Sequence, residues 1–386
     1  MIAYDKTLLA NTFFLEGAQT LCDGGFITSE QLAAAHSKTP TLKTHNNLLV
    51  RIGFFVLGTL LYSSVVGAAS LFVFAILSER YEWALWLYAV VGLAGSEFFA
   101  RQNFFAHGLD DAFILGFVTL VATAVGMNTE SATAAFVALA ITGVFASIRY
   151  VHTLSTVLGM VGVAGFFACL AFDLELFSKL YVPFVGLLLG IALYASYYVV
   201  RAKDGMLFYK NVLCSVQVFA LVLAYVSVNY FVVRELSVDL LGLAVLPGQD
   251  IPFAWVFYVL TFGLPIGYLW YGVKTKNKPL LWLGCLALVA SVLTIRHYYG
   301  MLRPDAALIL AGVLLFALAY GLIRKLRHKE SGITYEPDRH SNKNTMLYAQ
   351  AVIVNAQINV QPVANDTGGM PFGGGGFSGG GSSETY

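Results

Sequence analysis

The clearest pattern in this chain is a series of long apolar stretches separated by short polar breaks. The first of them, residues 52–77, contains no charged residue over 26 positions. As an α-helix it would be about 39 Å long, which exceeds the roughly 30 Å hydrocarbon core of a bilayer. Its only residues that are not strongly apolar are serine, threonine, glycine and tyrosine, which membrane helices tolerate. The stretch therefore predicts a transmembrane helix.

Ten such stretches lie between residues 52 and 323, and they predict an all-α fold, a polytopic transmembrane bundle of about ten helices. They cover residues 52–77, 83–99, 112–127, 133–148, 151–171, 181–200, 212–233, 253–273, 279–295 and 306–323. The second, third and fourth are close to the lower limit of about 17 residues for a membrane span. Nine or eleven helices therefore remain open as alternatives.

The distribution of the 23 Lys and Arg residues tests the helix number independently. If both termini lie on one side and the loops alternate, that side holds 18 of them. Cytoplasmic loops of membrane proteins carry such an excess. The pattern predicts ten helices in the inner (cytoplasmic) membrane with both termini in the cytoplasm. The five basic residues on the other side are Arg80, Lys179, Arg234, Arg296 and Arg303.

Residues 1–46 predict a small cytoplasmic helical hairpin ahead of the bundle. Apolar residues recur every three to five positions from Asp5 to Leu21, which indicates an amphipathic helix with Asp5 as a candidate cap. Gly24-Gly25 ends this helix. Thr28 and Gln31 then have the spacing of a capping box and start a short helix that reaches about His36. The hairpin is too small to hold a core alone, so we expect it to pack on the membrane face or on the tail.

The bundle occupies residues 47–323, and residues 324–386 predict a cytoplasmic tail. A basic segment at 324–329 opens the tail. Residues 346–361 could form a short strand or helix, and this segment is a possible docking site for a protein partner. From Gly368 onward the chain is rich in glycine and serine, which predicts a disordered end.

The composition places the protein in a membrane and argues against several functions. Hydrophobic residues make up 58% of the chain and charged residues 12%, about half the charged fraction of ordinary soluble proteins. A formal net charge of +1 without a basic face argues against a nucleic-acid partner, so the lipid bilayer is the partner that we predict. No motif predicts a cofactor or a metal site. The four cysteines read as small buried hydrophobes: Cys22, Cys169, Cys214 and Cys285.

Two G-x-x-x-G spacings and one proline mark features inside the predicted helices. Gly186 with Gly190, and Gly263 with Gly267, predict close helix packing within the bundle. Pro265 lies inside the second pair and predicts a kink. Broken helices often build transporter sites, so Pro265 is also a candidate for a transport pathway.

Glu97 is the one carboxylate well inside a predicted span. Intramembrane acids commonly serve proton or cation pathways. Arg101 follows one helical turn later, so the two residues are either an ion-pathway pair or a simple ion pair near the cytoplasmic end.

Two further groups of polar residues are candidates for chemistry. His107, Asp110 and Asp111 have a loose metal-ligand spacing, but capping and the helix dipole explain the acids without a metal. Arg296, His297 and Arg303 crowd one outer loop and could hold a phosphate or a lipid head group. A wetted interface with aromatic anchors is the alternative for this loop.

The N-terminal segment Gly25-Phe26-Ile27-Thr28-Ser29-Glu30-Gln31, followed by a polar spacer and a long apolar run, resembles a family of bacterial integral membrane proteins. These carry a short cytoplasmic G-x-I-[ST]-x-E-Q segment ahead of a multi-helix bundle. The resemblance covers residues 10–75 by motif and the remainder by hydropathy. It implies an inner-membrane location and no established activity, so it assigns no functional residue.

Three classes of function fit these patterns. A transporter of a small solute or lipid ranks first on helix number, and an enzyme is the less favoured class. A membrane scaffold or sensor would act through the two cytoplasmic ends, with a bundle packed solid. A membrane enzyme acting on lipid-linked substrates would need outer-side groups, for which the candidates are Asp173, Glu175, Glu235, Asp239, Asp250 and the loop at 296–305.

Overall fold

A computed structural model of the chain describes residues 2–23, 25, 27–45, 47–74, 82–173, 181–203, 206–241, 250–299 and 304–327. Over these ranges the protein is almost entirely helical, with no β-strand, so the predicted all-α fold is confirmed. The tail segment at 346–361, the glycine-rich end and Arg303 lie outside the described residues.

The described chain forms thirteen α-helices, numbered here in order. The bounds are α1 Lys6–Asp23, α2 Ser29–Lys38, α3 Leu48–Phe74, α4 Glu82–Arg101, α5 Leu109–Thr129, α6 Ala132–Tyr150, α7 Thr153–Asp173, α8 Val182–Arg201, α9 Lys210–Val228, α10 Tyr230–Leu241, α11 Ala254–Thr275, α12 Lys278–Tyr299 and α13 Pro304–Leu326. Helices α3 to α9, α11 and α12 are each long and apolar enough to cross a membrane, and α13 coincides with the tenth predicted stretch.

The helices α1 and α2 form with the predicted caps. The carboxylate of Asp5 accepts hydrogen bonds from the backbone N–H groups of Thr7 (2.7 Å) and Leu8 (3.1 Å). At the start of α2, Thr28 and Gln31 bond reciprocally through side chain and backbone, which completes the capping box. These contacts satisfy N–H groups that have no partner within a helix. Local sequence chemistry therefore determines where both helices begin.

The outward surface of the bundle is apolar. Large hydrophobic side chains that point away from the protein include Leu57, Ile141, Leu188, Val259 and Trp282. In a soluble protein such a surface would drive aggregation, whereas lipid chains cover it in a membrane. The most extensive helix contacts join α4 with α5, α5 with α6, α6 with α7, α8 with α9, and α11 with α12.

Small residues permit the closest helix packing, between α6 and α7. A Cβ atom added at Gly143 would lie 2.6 Å from the backbone of Gly159, so α6 cannot carry a side chain at this position without moving away from α7. The prediction for Gly190 is also confirmed, because its added Cβ would lie 2.8 Å from the Cβ of Ala224 in α9. The prediction for Gly263 and Gly267 is wrong for the described part of the chain, since none of its atoms lies within 4 Å of a Cβ at either position and both face outward.

The predicted single stretch at 212–233 is broken at Asn229, between α9 and α10. The backbone of Asn229 is extended, with φ −64° and ψ 125°, and its side-chain oxygen accepts the N–H of Phe231 at 3.0 Å. The N–H of Tyr230, which loses its helical partner, donates instead to the Thr261 hydroxyl of α11 at 3.0 Å. An asparagine can compete in this way with the helical backbone, and the prediction of one continuous helix is therefore wrong.

A hydrogen-bond network at this break joins α9, α11 and α12. The Tyr225 hydroxyl donates to the carbonyl of Ala287 (2.8 Å) and receives a hydrogen bond from the Asn229 amide (2.8 Å). The Ser291 hydroxyl donates to the Thr261 carbonyl at 2.6 Å. Helix α11 itself continues through the buried Pro265, so the interrupted helix is at Asn229 and not at the proline.

Candidate functional site

Side chains from α3, from α5 and from the residue before α7 meet at the end of the bundle from which α3 starts. Asp111, in the first turn of α5, is 4% exposed, and its Oδ2 accepts a hydrogen bond from Nε of Arg51 at 2.6 Å. Its Oδ1 lies 3.0 Å from Nε2 of His152, the residue before α7, without the alignment of a hydrogen bond. A buried carboxylate needs such partners because its desolvation is costly. The cluster therefore ties α3, α5 and α7 together.

The neighbouring acid, Asp110, organises the loop that enters α5. Its Oδ1 accepts the backbone N–H groups of His107 and Gly108, both at 3.0 Å. Gly108 adopts φ +109°, and a Cβ there would lie 2.8 Å from the backbone nitrogen of Phe55 in α3. Only glycine fits at position 108, because it has no Cβ and adopts positive φ values freely. The capping interpretation is not confirmed, because Asp110 accepts N–H groups of the entry loop, α5 has no side-chain cap hydrogen bond, and Asp111 forms an ion pair.

His107 packs among aromatic rings. Its ring centre lies 4.2 Å from that of His45, 4.4 Å from that of Phe54 and 4.8 Å from that of Phe104. Burial lowers the pKa of His107, and the neighbouring His45 and Lys43 lower it further, against the opposing effect of Asp111. His107 is therefore held neutral. Within the described ranges, no three His, Cys, Asp or Glu side chains converge as metal ligands, so the metal-ligand spacing does not become a site.

Asp111, His152 and Ser155 have the residue types of a nucleophilic triad, but their geometry is that of a helix cap. Nδ1 of His152 accepts the backbone N–H of Ser155 at 3.2 Å and lies 2.7 Å from its hydroxyl. Both contacts are local, three residues apart at the start of α7. The Ser155 side chain is completely buried, so no substrate can reach it. The arrangement positions the imidazole and does not activate the serine.

A partly open polar cavity of about 210 Å³ lies beside this cluster, between the N-terminal hairpin and the bundle. Glu16 of α1 lines the cavity. Partial burial of its carboxyl group against the bundle raises the pKa of Glu16, and Lys210 opposes this shift. The cavity is lined by Phe13, Glu16, Thr44, His45, Arg51, Phe105, Ala106, Asp110, Ile114, Tyr150, Val151, His152, Thr153 and Asn211.

Two residues of the cavity wall have strained backbones. Ala106 has φ +51° and Val151 has φ +52°, in the left-handed region. A β-branched residue such as valine rarely adopts this conformation. Strain of this kind persists only where the surroundings impose it, and it is concentrated at functional sites.

Backbone hydrogen bonds hold the hairpin and its linker on the bundle. The N–H of Ala3 donates to the carbonyl of Arg149 at 2.8 Å. Lys43 donates to the Asn103 carbonyl at 2.7 Å and accepts from the Phe105 N–H at 3.1 Å. The ring of Phe105 also packs against Tyr4 and Phe13 of the hairpin. The hairpin therefore packs on the end of the bundle, whereas the sequence analysis expected the membrane face or the tail.

Glu97 has a different partner from the predicted one. Arg149 of α6 binds both carboxylate oxygens of Glu97, and the Tyr150 hydroxyl donates to the same carboxylate at 2.7 Å. The suggested ion pair with Arg101 is therefore not what the structure contains. Arg149 lies 52 residues away in the sequence, so helical spacing could not identify it.

Of the predicted loop group, His297 lies in an aromatic cluster at the opposite end of the bundle. His297 packs edge-on against Phe231 (5.3 Å) and Tyr298 (5.0 Å), and Arg296 precedes it in the last turn of α12. The basic group at the centre of this cluster is Arg234, which lies 4.5 Å from the Tyr298 ring centre and donates to the Tyr230 hydroxyl at 2.9 Å.

Sequence reasoning missed Arg51 and His152 as members of one site. Each lies at the edge of an apolar stretch, where a polar residue is ordinary. The available signal was a histidine at the second position of the predicted apolar stretch 151–171. Nothing in the sequence paired it with residue 111.

Apolar helices of spanning length, with charged groups collected at their ends, define a multi-pass α-helical membrane protein. Comparisons with protein-family models, with curated proteins and with solved structures find no match to this chain. The resemblance drawn from the N-terminal motif therefore stays a prediction, and function must be argued from the cavity and its surroundings.

Proposed function

We propose that this membrane protein is a sensor that binds a small polar solute in the cavity beneath its N-terminal hairpin. The observation that carries the proposal is the position of the cavity. Its walls come from both the hairpin and the bundle, so a bound solute contacts both parts at once.

The lining favours a small polar ligand. Charged or hydrogen-bonding side chains at the cavity include Glu16, Arg51, Asp110 and Asn211. The described hydrogen bond of the Arg51 guanidinium uses Nε, and its two Nη groups remain as donors. Pockets that combine apolar walls with a few polar groups are typical of small-molecule sites.

The position of the hairpin can depend on whether a solute occupies the cavity, because Phe105 both packs against the hairpin and lines the cavity. A solute that contacts both parts stabilises the docked hairpin over the undocked one, in proportion to its preference for the docked state. The excess of basic residues on this side supports a cytoplasmic hairpin, where soluble partners could read its position.

Replacing Thr44 with tryptophan should abolish solute binding, because Thr44 lines the cavity and the indole would fill it. The full-length protein in nanodiscs is screened with small amines, amino acids, carboxylates and sugars by thermal shift. Hydrogen exchange of residues 6–38 then measures hairpin docking. At about ten times its Kd, a solute should slow that exchange about tenfold in the wild type.

Thr41→Trp is the matched control, since Thr41 is exposed on the same linker and does not line the cavity. It should bind the solute as the wild type does. Equal binding by the Thr44 variant would show that the solute binds elsewhere. Binding without any change in hairpin exchange would reject the sensor.

A transporter of a small solute is the second candidate, supported by the helix break at Asn229. Unwound positions in membrane helices commonly form transport sites. The sequence-based hypothesis placed the transport or ion pathway at Glu97, Arg101 and Pro265. The contacts now favour Thr261, which accepts the backbone N–H released by the break.

Thr261→Val should lower solute flux in proteoliposomes at least about tenfold if the break is part of a transport route, because it removes the acceptor of a buried N–H. Thr275→Val is the control on the same helix, at an exposed position where the hydroxyl bonds only to its own helix. Absence of flux for every solute that binds the cavity would reject the transporter. Unchanged flux and pH dependence in Glu97→Gln would reject an ion-pathway role for Glu97.

The membrane-enzyme alternative receives less support. Of its outer-side candidates, Glu235 accepts a hydrogen bond from the Tyr298 hydroxyl and Asp250 accepts one from the Tyr230 hydroxyl, both at 2.6 Å. These contacts explain the two acids as parts of the aromatic cluster.

A further inference from the structure

We infer that the cavity beneath the hairpin takes a solute with a protonated amine, which binds between the carboxylates of Glu16 and Asp110. This inference rests on the proposed function, because it names the chemistry of the ligand for the same cavity. It also goes further, since a polar cavity alone would suit an anion or a neutral solute equally well.

The charges around the cavity favour a cation. Arg51 and Asp111 form a pair at 2.6 Å and largely neutralise each other. Lys210 is the cation that acts on Glu16, but it is exposed, so solvent screens it. Asp110 is 2% exposed, and its described hydrogen bonds come from two neutral backbone N–H groups. Arg51 interacts with both Asp110 and Asp111, so the bundle side of the cavity keeps one carboxylate in excess, and Glu16 supplies a second carboxylate from the hairpin side.

The apolar part of the lining suits the same ligand. Phe13, Phe105 and Tyr150 contribute aromatic rings to the cavity wall. Aromatic faces attract ammonium groups and cover the carbon chain of a small amine. The hydrogen bonds to Asp110 end on Oδ1, which leaves Oδ2 as the oxygen available for an ammonium N–H.

A simple amine and an amino acid share this ammonium group, and Arg51 distinguishes them. The cavity is lined by the Arg51 side chain, whose free Nη groups could bind the carboxylate of an amino acid. A plain amine would use only the two acids. The inference covers both ligands through their common ammonium, and a set of four matched probes separates them.

The probes are propylamine, alanine, propionate and propanol, which are similar in size and differ in charge. Each is titrated against the full-length protein in nanodiscs at pH 7, with thermal shift and hydrogen exchange of residues 6–38 as readouts. Propylamine or alanine should stabilise the hairpin in a saturable way. Stabilisation by propylamine identifies a plain amine, and stabilisation by alanine alone identifies an amino acid.

Glu16→Gln should weaken binding of the active probe at least about tenfold, because it removes one charge-assisted hydrogen bond. Asp110→Asn should act in the same direction if its loop stays folded, which the exchange of residues 101–109 reports. Glu30→Gln removes the same charge from the exposed surface of α2 and should leave the affinity unchanged.

The possible failures of the two proposals are distinguishable. If propionate or propanol stabilises the hairpin and neither amine does, the amine inference is wrong and the solute-binding function stands. If Glu16→Gln binds the amine as tightly as Glu30→Gln, the amine does not use this carboxylate and the inference is also wrong. If no probe and no solute of the wider screen changes hairpin exchange, both proposals fail.

Discussion

Arg51→Met is expected to destabilise the protein by about 3 kcal/mol, because it leaves the buried carboxylate of Asp111 without its closest cation. The loss should be measured by SDS titration in mixed micelles, with tryptophan fluorescence as the probe. Removing one partner of a buried ion pair is costly because the remaining charge stays desolvated. Of the two ion-pair partners of Asp111 in the described chain, only His152 would then remain.

Arg101→Met is the matched control, since Arg101 is exposed at the same end of the bundle and should change stability by less than about 0.5 kcal/mol. The double variant Arg51→Met with Asp111→Asn should recover at least half of the loss, because it removes both charges together. Equal effects of the Arg51 and Arg101 variants would show that the buried pair does not hold α3 against α5.

Gly143→Ala is expected to cost about 2–3 kcal/mol, because its new methyl group has no room between α6 and α7. The added Cβ would lie 2.6 Å from the backbone of Gly159 and 2.8 Å from the carbonyl oxygen of Ser155. Both neighbours are backbone atoms, so no side chain can rotate away. The helices must separate, and the same SDS titration measures the resulting loss.

Gly263→Ala provides the comparison, since among the residues that the structure describes no atom lies within 4 Å of a Cβ at that position. Alanine has the higher helix propensity, so this variant should be neutral or slightly stabilising. The two substitutions are chemically identical and differ only in their surroundings. A loss of similar size at both positions would contradict the proposed α6–α7 contact and indicate a general intolerance of alanine in these helices.

Local sequence chemistry was sufficient for the helices and several of their ends. The apolar stretches predicted the spanning helices because a backbone inside a bilayer must bond within its own helix. The capping box of Thr28 and Gln31 could be predicted from the sequence because its two residues are only three positions apart. The spacing correctly predicted a helix contact at Gly190. The same spacing at Gly263 gave a wrong prediction, because a small residue permits a close contact but does not determine whether another helix lies there.

The sequence by itself determined that this is a helical membrane protein, where most of its long apolar helices lie, and that charged residues collect at their ends. Only the tertiary structure decided which charges meet: Glu97 with Arg149, and Asp111 with both Arg51 and His152. It also decided that a cavity forms beneath the hairpin. The physical reason is that helix formation depends on neighbours within one or two turns, whereas ion pairs and cavities depend on how whole helices pack. Residues 52 or 60 positions apart become partners only when that packing brings their helix ends together.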